Sequence, residues 1–251
     1  MNDIFTKAGL GALQGFITPQ TLIAFDLDGT LAPINPDPHM IEVSGELQQE
    51  LRMIMQYLPV AVITGRSRRD AMRFFEFAPS HLIGNHGAEG LPVWKAAEAR
   101  FKELVQSWKM QLLQRLETSD VGILLEDKGA SLSVHYRHAP DQEQVATRLH
   151  DIITTLTPPP RVVDGKCVLN LVPQDAPNKG DALLELMTQT GRDQAIFVGD
   201  DVTDEDVFAL GSRNIFSIRV GKNDTSQADW YLSEQAGVLK LVQEMHSFLH
   251  N

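Results

Sequence analysis

Residues 22–31 run Leu-Ile-Ala-Phe and then break into Asp26-Leu27-Asp28-Gly29-Thr30-Leu31, and this junction limits the folds open to the chain more than any other stretch. Four consecutive apolar residues without polar alternation suit a strand of a parallel sheet covered on both faces. In open α/β sheets, ligands gather outside the carboxyl ends of such strands. Asp26 and Asp28 stand at such an end, and their i, i+2 spacing on extended chain projects both carboxylates to one side. They can then share a divalent cation or divide the work of nucleophile and acid/base. Taken alone, the stretch could equally be a carboxylate pair capping a turn or a following helix, because Asp and Gly are ordinary turn formers.

The rest of the chain repeats the pattern. Residues 60–63 form a second unbroken apolar run, ending in Thr64-Gly65-Arg66-Ser67. Leu82-Ile83 delivers Gly84-Asn85-His86-Gly87-Ala88-Glu89-Gly90, and residues 195–198 end in Gly199-Asp200-Asp201-Val202-Thr203-Asp204-Glu205-Asp206. Between these runs lie helical stripes: Leu47, Leu51, Ile54, Met55 and Leu58, with Ser44 as N-cap and Pro59 as stop, and Leu183, Leu186 and Met187 behind Lys179-Gly180. Residues 70–77 are expected to be helical, residues 32–38 form a proline-broken loop, 215–220 and 230–232 read as closing strands, and Val238, Leu241, Val242, Met245 and Leu249 form a last stripe. Strands and helices in alternation predict an α/β fold with a parallel sheet.

From Trp94 the grammar changes. Trp94, Ala97, Phe101, Leu104, Val105, Trp108, Leu112 and Leu116 mark one long amphipathic helix, and Val145, Leu149, Ile152, Ile153 and Leu156 mark another that ends at three prolines. Residues 121–125 and 131–136 read as strands, as do 161–163 and 167–172, which flank Asp164-Gly165, a hairpin turn signal. The expected organisation is a core domain over 1–95 and 174–251, with an inserted α+β cap over 96–173.

Composition narrows the chemistry. The chain of 251 residues carries a formal charge of −11 and one cysteine, Cys167. No disulfide framework is available, and neither a signal peptide nor a membrane span is written in the sequence, so a cytoplasmic monomer is expected. The acidic balance argues against nucleic acid or an anionic membrane as partner. An anionic substrate would need cations concentrated locally, which points to a metal.

The collected strand ends supply a place for one. Mg²⁺ takes oxygen ligands, one or two of them carboxylates, together with a substrate phosphate; Asp26, the carbonyl of Asp28 and Asp200 are the candidate ligands, with Asp201 and Asp204 steadying the site from behind. A carboxylate such as Asp26 can attack a phosphoryl group, and Asp28 can pass a proton to the departing oxygen. Thr64, Gly65, Gly29, the backbone around Leu27 and the Lys179 ammonium are candidates to cradle the phosphoryl oxygens. In an acidic protein, such a convergence is what would let a phosphate bind.

These motifs resemble those of the haloacid-dehalogenase-type phosphatases and, in their detailed wording, the trehalose-6-phosphate phosphatase family: residues 25–34, Thr64-Gly65-Arg66, Gly84-Asn85-His86-Gly87-Ala88-Glu89, Lys179-Gly180 and residues 199–205. The likeness spans nearly the whole chain. It implies a Rossmann-like core, a mobile cap, Asp26 as nucleophile, Asp28 as acid/base and a sugar phosphate, trehalose 6-phosphate, as substrate. In such enzymes a Glu-x-Lys pair and a second Glu of the cap contact the sugar. Glu126 and Lys128 match the pair, whereas Asn170 stands where the family has Glu and Val172 where it has a basic residue. Asn85, His86 and Arg66 complete the candidate substrate contacts. Sucrose 6-phosphate or a glycosyl phosphoglycerate is the alternative substrate that Asn170 favours. A phospho-accepting sugar sensor is the alternative of a different class, and Asp28 argues against it because a module that only stores a phosphoryl group needs no second carboxylate.

Overall fold

A computed structural model describes residues 1–116 and 120–250. In chain order the elements are β1 (Asn2–Asp3), α1 (Lys7–Phe16), β2 (Thr21–Phe25), α2 (Gly45–Ile54), β3 (Val60–Ile63), α3 (Arg68–Ala71), β4 (His81–Ile83), α4 (Lys95–Arg115), β5 (Leu124–Asp127), β6 (Leu132–His135), α5 (Gln142–Thr154), β7 (Arg161–Gly165), β8 (Val168–Val172), α6 (Lys179–Thr190), β9 (Gln194–Gly199), α7 (Glu205–Phe208), β10 (Ile215–Val220), β11 (Trp230–Leu232) and α8 (Gly237–Leu249). They divide into two compact units, one of Met1–Leu91 with Pro177–Asn251, the other of Pro92–Ala176.

The first unit is built on a seven-stranded sheet in the order β1-β11-β10-β9-β2-β3-β4, every neighbouring pair parallel. Strands β2, β3 and β10 are buried along their whole length, which is why the central strands read as apolar runs rather than as alternating ones. Ile23, Phe25, Val60, Val62, Ile196 and Val198 share one core with Leu51 and Ile54 of α2 and Leu241 and Val242 of α8. Register decides what reaches the rim: Phe25 pairs with Val62 on one side and Val198 on the other, and Ile63 pairs with Ile83. The segments after β2, β3, β4 and β9 therefore emerge together at the carboxyl edge of the sheet.

Ser44 caps α2 as expected, accepting the Leu47 N–H at 3.3 Å. The helix expected over 70–77 is shorter. Ser67 caps α3, a 3-10 turn over Met72–Phe74 follows, and Phe75 is already extended. Phe75 turns inward to join the core and meets Phe77 edge-on at 5.8 Å, and Pro79 disfavours helix in the residue before it. The N-terminal strand and α1 carry no counterpart in the sequence reading, although Thr6 caps α1 by accepting the Gly9 N–H.

The second unit holds a four-stranded antiparallel sheet in the order β5-β6-β8-β7. One face packs on α4 and α5 through Leu132, Val134, Leu169 and Leu171 against Val105, Trp108, Leu112, Leu149 and Ile153. Two expectations are corrected here. The hairpin does not turn at Asp164-Gly165: Gly165 pairs with Val168, and the turn falls on Lys166-Cys167, with Cys167 at φ 59°. Pro158 to Pro160 block growth of β7 at its start, so its ladder reaches five pairs only by moving the turn later. The first strand lies over Leu124–Asp127 rather than 121–125, because Gly122 bends at φ 87° against the His138 carbonyl.

Candidate active site

Just past the end of β2, the Asp26 N–H donates to the Val198 carbonyl at 2.9 Å. This places a buried carboxylate at the sheet rim. The chain then folds back: the Thr30 and Ala32 N–H groups donate to the Leu27 carbonyl, and the Gly29 N–H donates to that of Ala32. Gly29 sits at φ 85°, and a Cβ there would collide with the Asp200 carboxylate. Glycine is therefore required both by conformation and by the approach of Asp200. The Gly29 N–H is spent within the turn, so this residue contributes space to the site.

Lys179 is the first residue of α6, whose N-terminus is fixed by a reciprocal cap between Asn178 and Asp181. Its side chain, 2% exposed, donates to Asp26 Oδ1 at 2.9 Å and Asp204 Oδ1 at 2.7 Å. The other oxygen of Asp204 accepts the N–H groups of Asp200 and Asp201, each at 2.9 Å. Asp204 is thus fully committed to holding the loop and the lysine. Asp201 caps the turn through the Val202 N–H at 2.7 Å, and Asp200 is steadied by the Thr30 hydroxyl at 3.2 Å.

Ligand atoms of Asp26, Asp200 and Asp204 lie within 4.8 Å of one another. Among the described residues, these three carboxylates face one ammonium, so that with all three ionised two negative charges are in surplus. Burial pushes the Asp26 carboxyl well above the usual range, and Asp204 and Asp200 add repulsion that Lys179 only partly offsets. Asp200 is pushed up to about 7, chiefly by burial and then by Asp204 and Asp201. Burial works against the charge on Lys179, but Asp204 and Asp26 outweigh it and raise its pKa. A buried, oxygen-only, net-negative cluster is a fitting donor set for a hard divalent cation. Asp26 and Asp200 have the oxygens to offer it, and Asp204 supports them.

Arg66, at the end of β3, closes the other side. It grips Asp28 with two parallel bonds, Nε to Oδ2 at 2.7 Å and Nη2 to Oδ1 at 2.6 Å. Nη1 reaches Asp70 at 2.6 Å, Nη2 also reaches the Pro38 carbonyl at 2.7 Å, and the guanidinium lies 4.8 Å over the Phe74 ring. Burial opposes the charge, but Asp28 and Asp70 raise the Arg66 pKa above its usual value. The candidate substrate contact is thus occupied in orienting a second candidate, Asp28, whose side chain is 37% exposed. The i, i+4 spacing of Arg66 and Asp70 was a signal for part of this network; its tie to Asp28, 38 residues away, had none.

Thr64 is buried, and its hydroxyl accepts the Arg66 N–H at 3.2 Å. A Cβ on Gly65 would strike the His86 ring, so these two residues touch across the rim. Asn85 and His86 both adopt positive φ, 51° and 58°. Asn85 is buried and donates to Glu89 at 2.9 Å, which also accepts the Arg68 N–H at 2.9 Å. Asn85 therefore braces its own loop.

In the second unit, Glu126 pairs in register with Ser133, Ser133 with Asn170, and Asn170 with Val163. This row lies on the face opposite the helices, since the flanking Leu132, Val134, Leu169 and Leu171 fill the core. Glu126 Oε2 stands 2.8 Å from His135 Nε2 and 3.8 Å from Lys128 Nζ. Asn170 accepts the Ser133 hydroxyl at 2.6 Å and donates to the Val163 carbonyl at 3.2 Å. The strands thus bring Glu126, Lys128, Asn170 and His135 onto one polar face, together with Ser133, which sequence reading had not singled out.

Residues 24–236 match the family described as trehalose-phosphatase. The chain is 33% identical over 218 residues to a trehalose-6-phosphate phosphatase of Escherichia coli K12, covering 83% of this chain and 80% of that one. It is 36% identical over 208 residues to a probable trehalose-phosphate phosphatase of Sinorhizobium fredii, covering 78% and 76%. Among solved structures, the C-terminal domain of a C. albicans trehalose-6-phosphate phosphatase superposes with a TM-score of 0.76 at 21% identity, over 98% of this chain and 99% of that one.

Proposed function

The chain belongs to the trehalose-phosphatase family, and we propose that it is a Mg²⁺-dependent phosphatase that releases trehalose and phosphate from trehalose 6-phosphate by way of an aspartyl phosphate. The observation that carries this reading is the buried Asp26, held by Lys179 at a parallel-sheet rim beside Asp200, with a second carboxylate, Asp28, two residues on. In the first half-reaction a carboxylate oxygen of Asp26 forms a bond to phosphorus as the bond to the sugar oxygen breaks. Asp28 gives that oxygen its proton. In the second, Asp28 takes a proton from the water that cleaves the acyl phosphate, restoring both carboxyl groups. The Lys179 ammonium and the Thr64 hydroxyl receive phosphoryl oxygens. Mg²⁺ on Asp26, Asp200 and the Asp28 carbonyl would supply the remaining positive charge. Arg66 fixes the direction in which Asp28 points, and Glu126, Lys128 and Asn170 bind sugar hydroxyls.

A panel of esters tests the substrate. Phosphate release in Mg²⁺ is expected to be fastest, per unit concentration, from trehalose 6-phosphate among that ester, sucrose 6-phosphate, glucose 6-phosphate and glucosyl 3-phosphoglycerate. Another winner would leave the chemistry standing and remove the trehalose assignment. No turnover of any ester would remove the enzyme mechanism as well.

Glu126→Ala is expected to raise KM for the preferred sugar phosphate roughly 10- to 100-fold, the worth of a hydrogen bond to a charged group, while leaving that for p-nitrophenyl phosphate within about twofold. Equal effects on both substrates would show that Glu126 does not read the sugar. Arg66→Lys keeps the charge but loses the planar two-point grip, so kcat should fall about tenfold with KM little changed. A rise in KM alone would instead put Arg66 on the substrate.

Proton linkage gives a further expectation. A carboxyl raised to about 7 by burial and neighbouring acids holds its proton in the native state where the unfolded chain has lost it. Asp200 therefore costs the metal-free protein stability progressively as pH rises from about 4 to 7, and fully above that. Mg²⁺ must displace this proton below pH 7, so its affinity should fall by up to about tenfold per pH unit there. Thermal unfolding with chelator or with Mg²⁺ should show a larger metal-induced rise in Tm at about pH 7.5 than at about pH 5.5, and Asp200→Asn should flatten the difference. A metal effect independent of pH would show that Asp200 carries no proton for Mg²⁺ to displace over this range.

A further inference from the structure

The C-terminal helix ends in a second group of metal-ligating side chains, none of which belongs to the strand-end motifs. His246 lies in the last turn of α8, and His250 follows the helix four residues on. That spacing puts the two rings on one side of the helix, with centroids 4.7 Å apart and the Nε2 atoms 2.9 Å from each other. The Nδ1 of His246 stands 2.8 Å from Glu50 Oε2 on α2. The Nδ1 of His250 stands 3.3 Å from the Tyr57 hydroxyl, whose ring meets His250 edge-on at 5.2 Å.

The partners settle where the lone pairs lie. A carboxylate only accepts, so a neutral His246 carries its proton on Nδ1 and presents an Nε2 lone pair toward His250. At 2.9 Å that lone pair is met by a hydrogen on His250 Nε2. The Tyr57 hydroxyl can donate to His250 Nδ1 or accept from it, so His250 can exchange tautomer and turn its own Nε2 lone pair to the same point. A metal ion bonded to both nitrogens would sit off the line that joins them, about 2.0–2.1 Å from each, where the two rings can turn their lone pairs once His250 has exchanged its tautomer. Histidines that bind metal characteristically give the other ring N–H to a carboxylate or another acceptor, which is the arrangement around His246.

We propose that His246 and His250 bind a borderline divalent transition metal through their Nε2 atoms, with Glu50 and Tyr57 orienting the rings and water completing the coordination. Imidazole suits Zn²⁺, Cu²⁺ and Ni²⁺, whereas Mg²⁺ prefers oxygen, so this site and the carboxylate cluster sort different ions. A bound ion would tie the residue that follows α8 to the helix and, through Glu50 and Tyr57, to the chain at and beyond α2.

The test uses the whole chain, stripped with chelator and then held in saturating Mg²⁺ so that the carboxylate cluster is occupied, with Zn²⁺ binding followed by calorimetry. Wild type is expected to bind one Zn²⁺. His250→Ala, at an exposed position, should weaken that binding at least tenfold with phosphatase activity in Mg²⁺ unchanged. Glu50→Gln should weaken it about tenfold, the usual effect of losing an outer partner, and Asp200→Asn should retain it. No Zn²⁺ bound by wild type, or equal binding by wild type and His250→Ala, would overturn the proposal. Loss of Zn²⁺ in Asp200→Asn alone would also overturn it by assigning the ion to the carboxylate cluster.

Discussion

Replacing Asp26 with asparagine is expected to lower phosphate release at least about a thousandfold while leaving the fold intact or slightly firmer. The loss follows from the proposed mechanism: an amide matches the carboxylate in shape but cannot become the acyl phosphate through which that mechanism runs. The unchanged stability follows from the cluster. Asp26 is buried beside two further carboxylates, and its raised pKa marks a charge that the native state holds at a cost. The amide would remove that charge, while Lys179 keeps its 2.7 Å bond to Asp204. In chelator, Tm should therefore hold or rise, and Mg²⁺ should stabilise the variant less than wild type. Retained turnover in Asp26→Asn would end the nucleophile assignment. Lost turnover accompanied by a collapsed Tm would leave that assignment resting on the geometry alone.

The same burial explains what could be read from the chain beforehand. Central parallel strands are covered on both faces, so they are written as unbroken apolar runs, and the polar residues that interrupt them mark the sheet rim. Asp26, Thr64 and Asp200 were legible for that reason. Lys179 was legible only as a member of the motif set, since nothing local distinguishes a lysine that ends up 2% exposed from one in solvent. The Arg66 grip on Asp28 depends on how two strand ends are juxtaposed, which no local pattern encodes. Asp164-Gly165 failed as a turn because local turn chemistry is worth less than two further ladder pairs when prolines stop the strand from growing at its other end. In the second unit, Glu126, Lys128 and Asn170 were legible only through the family resemblance, and Ser133 was not legible at all, because only the register with β8 sets Ser133 against Asn170 and fixes the amide. That tie commits the Asn170 oxygen and one of its N–H groups inside the sheet.

Lys179→Met is the sharpest probe of the electrostatic design, because methionine nearly fills the space of the lysine stem while removing the charge between Asp26 and Asp204. Breaking one side of a buried ion pair costs about 3–5 kcal/mol, since the remaining charges stay desolvated, which for a chain of this size lowers Tm on the order of 10 °C. The cost should depend on pH in a definite direction. Without the ammonium, the attraction that partly lowers the Asp26 pKa is gone, so burial and the neighbouring acids drive it higher still. In acid, Asp26 and Asp200 take up protons and the missing ammonium matters less; as pH rises and they ionise, the repulsion returns. The gap in Tm between wild type and Lys179→Met, measured in chelator, should therefore widen from about pH 5.5 to about pH 8, and Mg²⁺ should narrow it at the higher pH by restoring positive charge to the cluster. A gap of the same size at both pH values would mean that Lys179 serves the site by packing rather than by charge. The negative charge of the carboxylates could then no longer be the ground for proposing that this rim binds a cation and, with it, a phosphate.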